Sequence, residues 1–516
     1  MTQGALFNDS PVATRNGDKR AATSKQQLSA TIKSVRDILR TDAGLYGDTD
    51  RLPQLTWLLF LKFLDDHELA QEDEWGDQYE PIIAPPYRWR DWAAVGNTTG
   101  RLTGDEMIHF VNDKLLPYLI ELSGSNERDL RTVVGTIFQG TYNRIRSGYI
   151  LREVVDKLST INFNSSDDIH TVSVFYETLL LEMRDAAGDA GEFYTPRPVV
   201  RLIVDRLAPK LGESVLDPAC GTCGFLVEAY EHMKGEARDP EARRMLEDSI
   251  TGTEKKATAY LLGVMNLLLH GIERPNLTER NSLQTNIRLI KDADRVDVIA
   301  TNPPFGGAEE EGILNNFPEG MRDKETSLLF FQYIMATLKR PSGRCGIVLP
   351  NGFLFGSGVA AEIKKQLLYR FSLHTVVRLP NGVFAPYTSI PTNLLFFDAC
   401  APSDDGPCTK EVWYYEQPLP EGRKNYTKTQ PLQFEDFESL RAWWDNRAEN
   451  ERAWRVPIQQ IVDNDYNLDL KNPNAADDLK HLPPEQLADS ILRKEQRIVE
   501  IMTEIKQGLT TGKDTL

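Results

Sequence analysis

The sequence predicts a mostly parallel, doubly wound α/β sheet with a terminal hairpin, preceded by an all-helical N-terminal domain and followed by a C-terminal helix. Three observations carry that prediction. Between residues 166 and 480, short apolar runs alternate with stretches of helical period, the pattern of a parallel sheet covered by helices on both faces. From Lys25 to about Phe163, apolar residues recur only at helical spacing. Pro484 to Gln507 then places Leu487, Ile491, Ile498, Met502 and Ile505 on one helical face among many charges. A chain of 516 residues exceeds one ordinary core, so two or three domains are expected.

Residues 1–24 are polar, lack an apolar period and read as a disordered tail. The helical N-terminal domain takes 25–165. Leu28, Ile32, Val35, Ile38 and Leu39 share one spacing, and Leu55, Leu58, Leu59, Leu61, Phe63 and Leu64 mark a denser, buried helix. Further periodic stretches run from Met107 to Leu122 and from Leu130 to Phe138, with a long polar connection bearing Trp and Pro from Asp73 to Gly104. A helix from Val172 to Met183 leads into the sheet domain, 166–480. Its predicted strands are Ser214 to Leu216, Ile250 to Thr253, Leu277 to Asn281, Val296 to Ala300, Cys345 to Leu349, Thr375 to Leu379 and Asn393 to Phe397. Helical patterns at Val199 to Leu207, Phe225 to Met233, Ala257 to His270 and Leu328 to Leu338 lie between them. Sheets of this kind bind ligands at strand carboxyl ends, near a switch point. Residues 481–516 hold the amphipathic helix, suited to subunit assembly, with Gly508 as its stop.

Composition narrows the function classes. With 41% apolar and 26% charged residues the chain reads as a globular protein, and no apolar stretch approaches the ~20 residues of a membrane helix. The N-terminus lacks the hydrophobic core of a secretory signal, so the protein is expected in the cytoplasm. Five cysteines fit a reducing compartment, and their odd number argues against a disulfide framework. A net charge of −17 sits awkwardly with DNA handling, because phosphate contacts want lysine and arginine. Basic residues must cluster on one face, or a partner must supply the grip.

The tetrapeptide Asn302-Pro303-Pro304-Phe305 is the most informative feature. It follows the mostly apolar run Val296-Asp297-Val298-Ile299-Ala300, so it sits where a buried strand gives way to a loop. Two prolines stiffen the backbone and bias the residue before them away from helix. An amide, a carbonyl and an aromatic face are thereby held in fixed relation, an arrangement for gripping a planar base with an exocyclic amine.

Upstream, Asp217-Pro218-Ala219-Cys220-Gly221-Thr222-Cys223-Gly224-Phe225 follows the first strand and opens a helix. Its glycines allow close backbone approach, and a helix N-terminus offers N–H groups to an anionic ligand group. It lacks the Lys-Ser/Thr of a P-loop and departs from G-x-G-x-x-G, which disfavours nucleotide hydrolysis and weakens a dinucleotide reading. A purely structural turn remains the alternative. Glu254, ending the second strand, is placed to bond ribose hydroxyls, or else only favours a helix start. Gly191-Glu192-Phe193-Tyr194-Thr195-Pro196-Arg197-Pro198 suits a helix cap, with an aromatic pair beyond what a cap needs. Cys220-x-x-Cys223 has no second pair or histidine cluster to complete a zinc set, and seven histidines show no metal spacing, so no metal is predicted. The stretch from Gly306 to Thr326 is polar and without period, and reads as a lid that orders on DNA or as an inconsequential insertion.

In the order GEFYTPRPVV, DPACGTCGFL, GTEKK, NPPF and PTNLLFF, the chain resembles amino-methyltransferases that use S-adenosylmethionine (SAM), and most closely the modification (M) subunit of type I restriction–modification systems. The resemblance covers most of the chain. It implies a SAM-dependent methyltransferase fold acting on the N6 amine of adenine in a specific DNA sequence. Glu192, Phe193, Tyr194, Thr195, Pro196 and Arg197, with Ala219, Gly221, Thr222, Cys223 and Gly224, would line the SAM pocket. Asp217 would orient the methionine amine or the loop, Glu254 would bind the ribose, and Asn281 would contact the cofactor's adenine. The family commonly has glycine or another small residue where Cys223 stands. Implied partners are DNA, a specificity (S) subunit and a second copy of the chain, with a restriction (R) subunit left open.

The residues then suit the reaction. The Asn302 side chain and the Pro303 carbonyl accept the amine hydrogens, and Phe305 stacks on a base flipped from the duplex. Phe384 is a candidate for the pocket's other wall, or is simply core. Two other readings compete. Asn-Pro-Pro-aromatic also grips a carboxamide, as in protein glutamine methyltransferases, though chains of that kind lack such a helical domain. A catalytically inactive scaffold subunit is disfavoured by the intact motif.

Overall fold

The computed structural model describes residues 25–76, 79–93, 101–126, 129–163, 195–385, 390–401, 406–427, 429–474, 492–496, 498–499 and 501–503. The predicted tail at 1–24 and the helix predicted from Val172 to Met183 lie outside them. Helices Lys25–Leu39, Asp48–Trp75, Leu130–Gln139 and Gly148–Leu158 pack with the stretch 104–120, whose helical path widens into a π turn at Val111–Leu115. Leu55, Trp57, Leu58, Phe60 and Leu64 are almost wholly buried, so Asp48–Trp75 is the centre of this layer. The described part of the connection between Asp73 and Gly104 is anchored rather than loose. It carries the short helix Trp89–Trp92, whose two indoles are buried with centroids 5.2 Å apart.

The rest is built on a nine-stranded sheet in the order β3-β2-β1-β4-β5-β7-β6-β8-β9. The strands are β1 (Val215–Asp217), β2 (Ile250–Glu254), β3 (Leu277–Glu279), β4 (Val298–Thr301), β5 (Arg344–Pro350), β6 (Phe371–Arg378), β7 (Thr392–Ala399), β8 (Glu411–Glu416) and β9 (Ala453–Pro457). The first five strands pair in parallel, and β7 wedges antiparallel between β5 and β6, as the expected terminal hairpin. β1 lies between β2 and β4, so the strand order reverses there and opens a crevice at the carboxyl ends of β1 and β4.

Both faces of the sheet are covered, which is why β4 reads Val-Ile-Ala-Thr and is buried at all four positions. Along β5, Cys345, Ile347 and Leu349 turn to one face, with helices Thr326–Thr337 and Val359–Arg370. Val348 turns to the other, with helices Arg197–Leu207 and Gly224–Lys234. Helix Ala257–Leu269 is buried from Ala259 to Leu269, because it is sandwiched between the sheet domain and the N-terminal helices. The seam is close: a Cβ on Gly140 would stand 2.9 Å from the Ala257 Cβ.

Three expectations need correction. The predicted strands stop at Phe397, whereas two more, β8 and β9, continue the same sheet. Cys400 and Cys408 form a disulfide, against the reading of the odd cysteine count. They stand between β7 and β8 with Cα atoms 6.6 Å apart, and a parity count is blind to that proximity. The other three cysteines are free and buried. Finally, 306–326 is folded in place rather than a periodless lid. It holds helix Glu311–Leu314 and a bridge between Ala308 and Glu325, and Phe317 is fully buried. No described helix is long and apolar enough to cross a membrane.

Candidate active site

The two central motifs meet at the switch point. β1 delivers Asp217 and β4 delivers Thr301, and Thr301 Oγ1 donates to Asp217 Oδ1 at 2.7 Å. Ala219 N–H donates to the same oxygen at 3.1 Å, so neither bond uses Oδ2. Asp217 is buried, and that burial pushes its carboxyl up to about 7 against the opposing pull of the two hydrogen bonds.

The loop that follows is a tight cradle. Cys220 N–H donates to Thr253 O at 3.1 Å and Cys223 N–H to Cys220 O at 2.7 Å. Gly221 and Cys223 both adopt left-handed backbone, with φ of 51° and 63°. The second value is a conformation that glycine adopts freely and that strains a side chain such as that of Cys223. Cys223 Sγ packs against Gly263, where an added Cβ would stand 2.6 Å away. Cys220 and Cys223 share a side-chain hydrogen bond, which together with burial raises the Cys220 thiol well above its ordinary range. Among the described residues no group of three or more His, Cys, Asp or Glu side chains is placed to hold a metal ion.

Glu254 does more than end β2. Its Oε2 accepts Gly221 N–H at 2.9 Å and its Oε1 accepts Lys256 N–H at 2.8 Å. Burial raises its pKa while those backbone donors pull the other way. The carboxylate therefore shapes the glycine loop. Asn266, fully buried on helix Ala257–Leu269, donates to Thr222 O at 2.7 Å and ties the same loop from below. Sequence reasoning missed Asn266, although a lone amide in the apolar run Leu261 to Leu269 was a signal.

Asn281 is brought to this end of the sheet, but its amide is engaged. Oδ1 accepts Leu283 N–H at 3.0 Å, and Nδ2 donates to Glu309 Oε2 at 3.0 Å. Glu309, from the 306–326 stretch, also pairs with Lys255 at 3.4 Å. That stretch thus reaches the turn after β2, which the sequence did not suggest.

Beyond β4, Pro303 is buried and Asn302, Pro304 and Phe305 are half-buried. Asn302 Nδ2 donates to Thr195 Oγ1 at 3.0 Å, whereas Asn302 Oδ1 is buried with no hydrogen-bond partner. A buried carbonyl oxygen without a donor is costly, and it marks where a ligand's N–H would fit. Phe305 meets Phe384 edge to face, with centroids 5.9 Å apart and planes at 67°. Thr195, Pro196 and Arg197 border the crevice, and Arg197 Nη1 donates to Gly224 O at 3.2 Å. Glu192, Phe193 and Tyr194 lie outside the described residues.

The arrangement has the parts a SAM pocket needs. A glycine cradle leads into the N-terminus of helix Gly224–Lys234, and buried carboxylates stand at the ends of β1 and β2, suited to ammonium and ribose groups. No P-loop cation is present in the cradle.

Comparison with known proteins gives a consistent result. The family described as N-6 DNA Methylase matches residues 167–481, and the HsdM N-terminal domain matches residues 28–158. The chain is similar to the type I restriction enzyme EcoEI methylase subunit of Escherichia coli, 47% identical over 470 residues, 89% of this chain and 93% of that one. Among solved structures, it resembles a Vibrio vulnificus YJ016 chain described as a modification subunit of a type I restriction enzyme. The TM-score is 0.80 and identity 52%, over 90% of this chain and 100% of that one. A chain from a study of type I R-M complex assembly and conformational transition matches with a TM-score of 0.75 and 43% identity, over 95% and 99% of the two chains.

Proposed function

This chain belongs to the N-6 DNA methylase family, as one of the type I restriction enzyme methylase subunits, and on that premise we infer how its residues carry the reaction. It transfers a methyl group to the N6 amine of adenine in DNA as the modification subunit of a type I complex, working with a specificity subunit and alongside a restriction subunit. The methyl donor is SAM, whose sulfonium supplies an electrophilic methyl group when bound. Its site is the cradle from Asp217 to Gly224, with Glu254 at the ribose and Thr195, Pro196 and Arg197 along the rim. As a type I methylase subunit acting on DNA, the protein is placed in the cytoplasm with its substrate.

The N6 nitrogen is a weak nucleophile because its lone pair is delocalised into the purine ring. Asn302 Oδ1 and the Pro303 carbonyl accept its two hydrogens and draw the nitrogen toward a pyramidal shape, which returns the lone pair for attack. Phe305 stacks on the base after it has left the duplex, with Phe384 behind it. The rate then rests on orientation and on acceptors fixed before the base arrives, with no side chain of neutral pKa needed at the nitrogen.

The single observation that carries this reading is the buried, unpartnered Oδ1 of Asn302 at the carboxyl end of β4. Asn302→Ala, assayed with a specificity subunit, should lose methyl transfer while SAM binding by calorimetry is retained. Full activity in that variant overturns the assignment. Glutamine methylation is not favoured, because the helical domain at 28–158 matches the N-terminal domain of DNA-modifying subunits.

A further inference from the structure

We propose that Thr195 is a positioning residue for Asn302: its hydroxyl holds the amide nitrogen, so that oxygen rather than nitrogen faces the amine of the target base. The inference rests on the reading of Asn302 as the amine acceptor, and gives Thr195 a role apart from lining the cofactor pocket.

The two ends of an asparagine amide are nearly the same size and opposite in function, one accepting and the other donating. At an amine-gripping site the wrong orientation points a donor at a donor. Asn302 has one side-chain bond on its nitrogen, to Thr195 Oγ1 at 3.0 Å, and none on its oxygen. A hydroxyl can pair with either end of an amide, so the threonine fixes where the amide lies, and the pairing present, nitrogen on Oγ1, leaves the oxygen for the base.

Thr195 is itself held. Pro196 and Pro198 flank the start of helix Arg197–Leu207, which restricts the local backbone. Two residues on, Arg197 Nη1 donates to Gly224 O at 3.2 Å, where the glycine loop becomes helix. One three-residue segment therefore spans the two motifs, with the hydroxyl on the catalytic amide and the guanidinium on the cradle. Sequence distance hides this, since Thr195 and Asn302 are 107 positions apart.

The test uses the full complex with a specificity subunit and compares wild type, Thr195→Val and Thr195→Ser. Valine keeps the shape and removes the hydroxyl. Thr195→Val should lower kcat at saturating SAM by about tenfold, the scale of one lost hydrogen bond, with KM for DNA nearly unchanged. A second readout needs no turnover: the ratio of affinities for duplexes carrying adenine or hypoxanthine at the target position. Hypoxanthine presents an oxygen where adenine presents an amine, so a fixed Oδ1 should disfavour it. That preference for adenine should shrink in Thr195→Val and return in Thr195→Ser; differences in base pairing are common to all three proteins and cancel. A Thr195→Val variant with wild-type kcat and ratio but weaker SAM binding would make Thr195 a cofactor contact only and overturn the proposal. So would a Thr195→Ser variant that restores neither quantity. Asn302→Ala separates the two layers: if it is active, the reading of Asn302 fails, and if it is inactive while Thr195→Val behaves as wild type, only the positioning role fails.

Discussion

Thr301 and Asp217 join the two halves of the site, with the threonine hydroxyl donating to the buried carboxyl at 2.7 Å across the carboxyl ends of β4 and β1. Thr301 is the residue before Asn302, and Asp217 opens the glycine loop. The pair therefore sets the Asn302 amide and the glycine loop at one level.

Burial raises the Asp217 carboxyl from 3.8 to about 7, with Glu254 adding to the rise. The folded state then binds this proton more tightly than the unfolded state does. The stability it contributes is fully present below the unfolded value and is lost as pH rises through about 7. Asp217→Asn keeps an acceptor for Thr301 and Ala219 but cannot ionise. The melting temperature of wild type relative to Asp217→Asn should therefore fall steadily between about pH 4 and pH 7. A difference independent of pH would mean that Asp217 is not buried in this way.

A second prediction concerns the aromatic walls. Phe305 is half-buried and leans edge-on against Phe384, which is 4% exposed. Phe305→Ala should cost activity on the scale of one base stack, about 1–3 kcal/mol, while Phe305→Tyr and Phe305→Trp retain part of it. Phe384→Ala should also destabilise the fold by roughly 3–5 kcal/mol, as removal of a core ring does. Denaturation curves that leave both variants equally stable would contradict the difference in their burial.

Much of this was legible in the sequence, for reasons that differ by element. β1, β4, β5 and β7 are short runs rich in buried apolar residues between turn signals, as a sheet covered on both faces requires. β8 and β9 were missed although Val412 to Tyr415 is rich in aromatic residues and Trp454 to Pro457 alternates in burial, because they lie beyond the motifs that framed the domain. The Asn302 motif was readable because its rigidity is local. The bond from Asn302 to Thr195, the Glu309 contact with Asn281 and the disulfide were not, since each depends on which distant residues the sheet order brings together. Glu254 shows the intermediate case. Its position at a strand end was legible, yet its grip on Gly221 could come only from three dimensions.

That grip changes what Glu254→Ala should do. Charge-assisted bonds to ribose are worth ~1.5–3 kcal/mol each, so SAM affinity should fall about ten- to a hundredfold. The substitution also strands the N–H groups of Gly221 and Lys256, at about 1–3 kcal/mol for each one left unpaired. The variant should accordingly melt lower even without SAM. Unchanged calorimetric affinity would move the cofactor elsewhere, and unchanged melting without ligand would remove the role in shaping the loop.

The C-terminal helix supplies the last prediction. A net charge of −17 opposes non-specific adherence to phosphate, so the grip on DNA must be concentrated locally or come from a partner. Residues 492–496, 498–499 and 501–503 are helical, and Leu492, Ile498, Val499 and Met502 are each more than half exposed. Apolar side chains at helical spacing left in water are suited to pack on partner helices, and the specificity subunit is the partner that reads sequence for this family. Deleting residues from Pro484 onward should weaken co-purification with the specificity subunit and abolish sequence-selective methylation. SAM binding by the truncated chain should be unchanged, because every residue assigned to the cradle lies before Pro484. The intact chain alone should bind DNA weakly and without sequence preference. If the truncated chain still assembles fully, the helix serves its own domain instead, and if the intact chain alone methylates one defined sequence, it carries its own recognition surface.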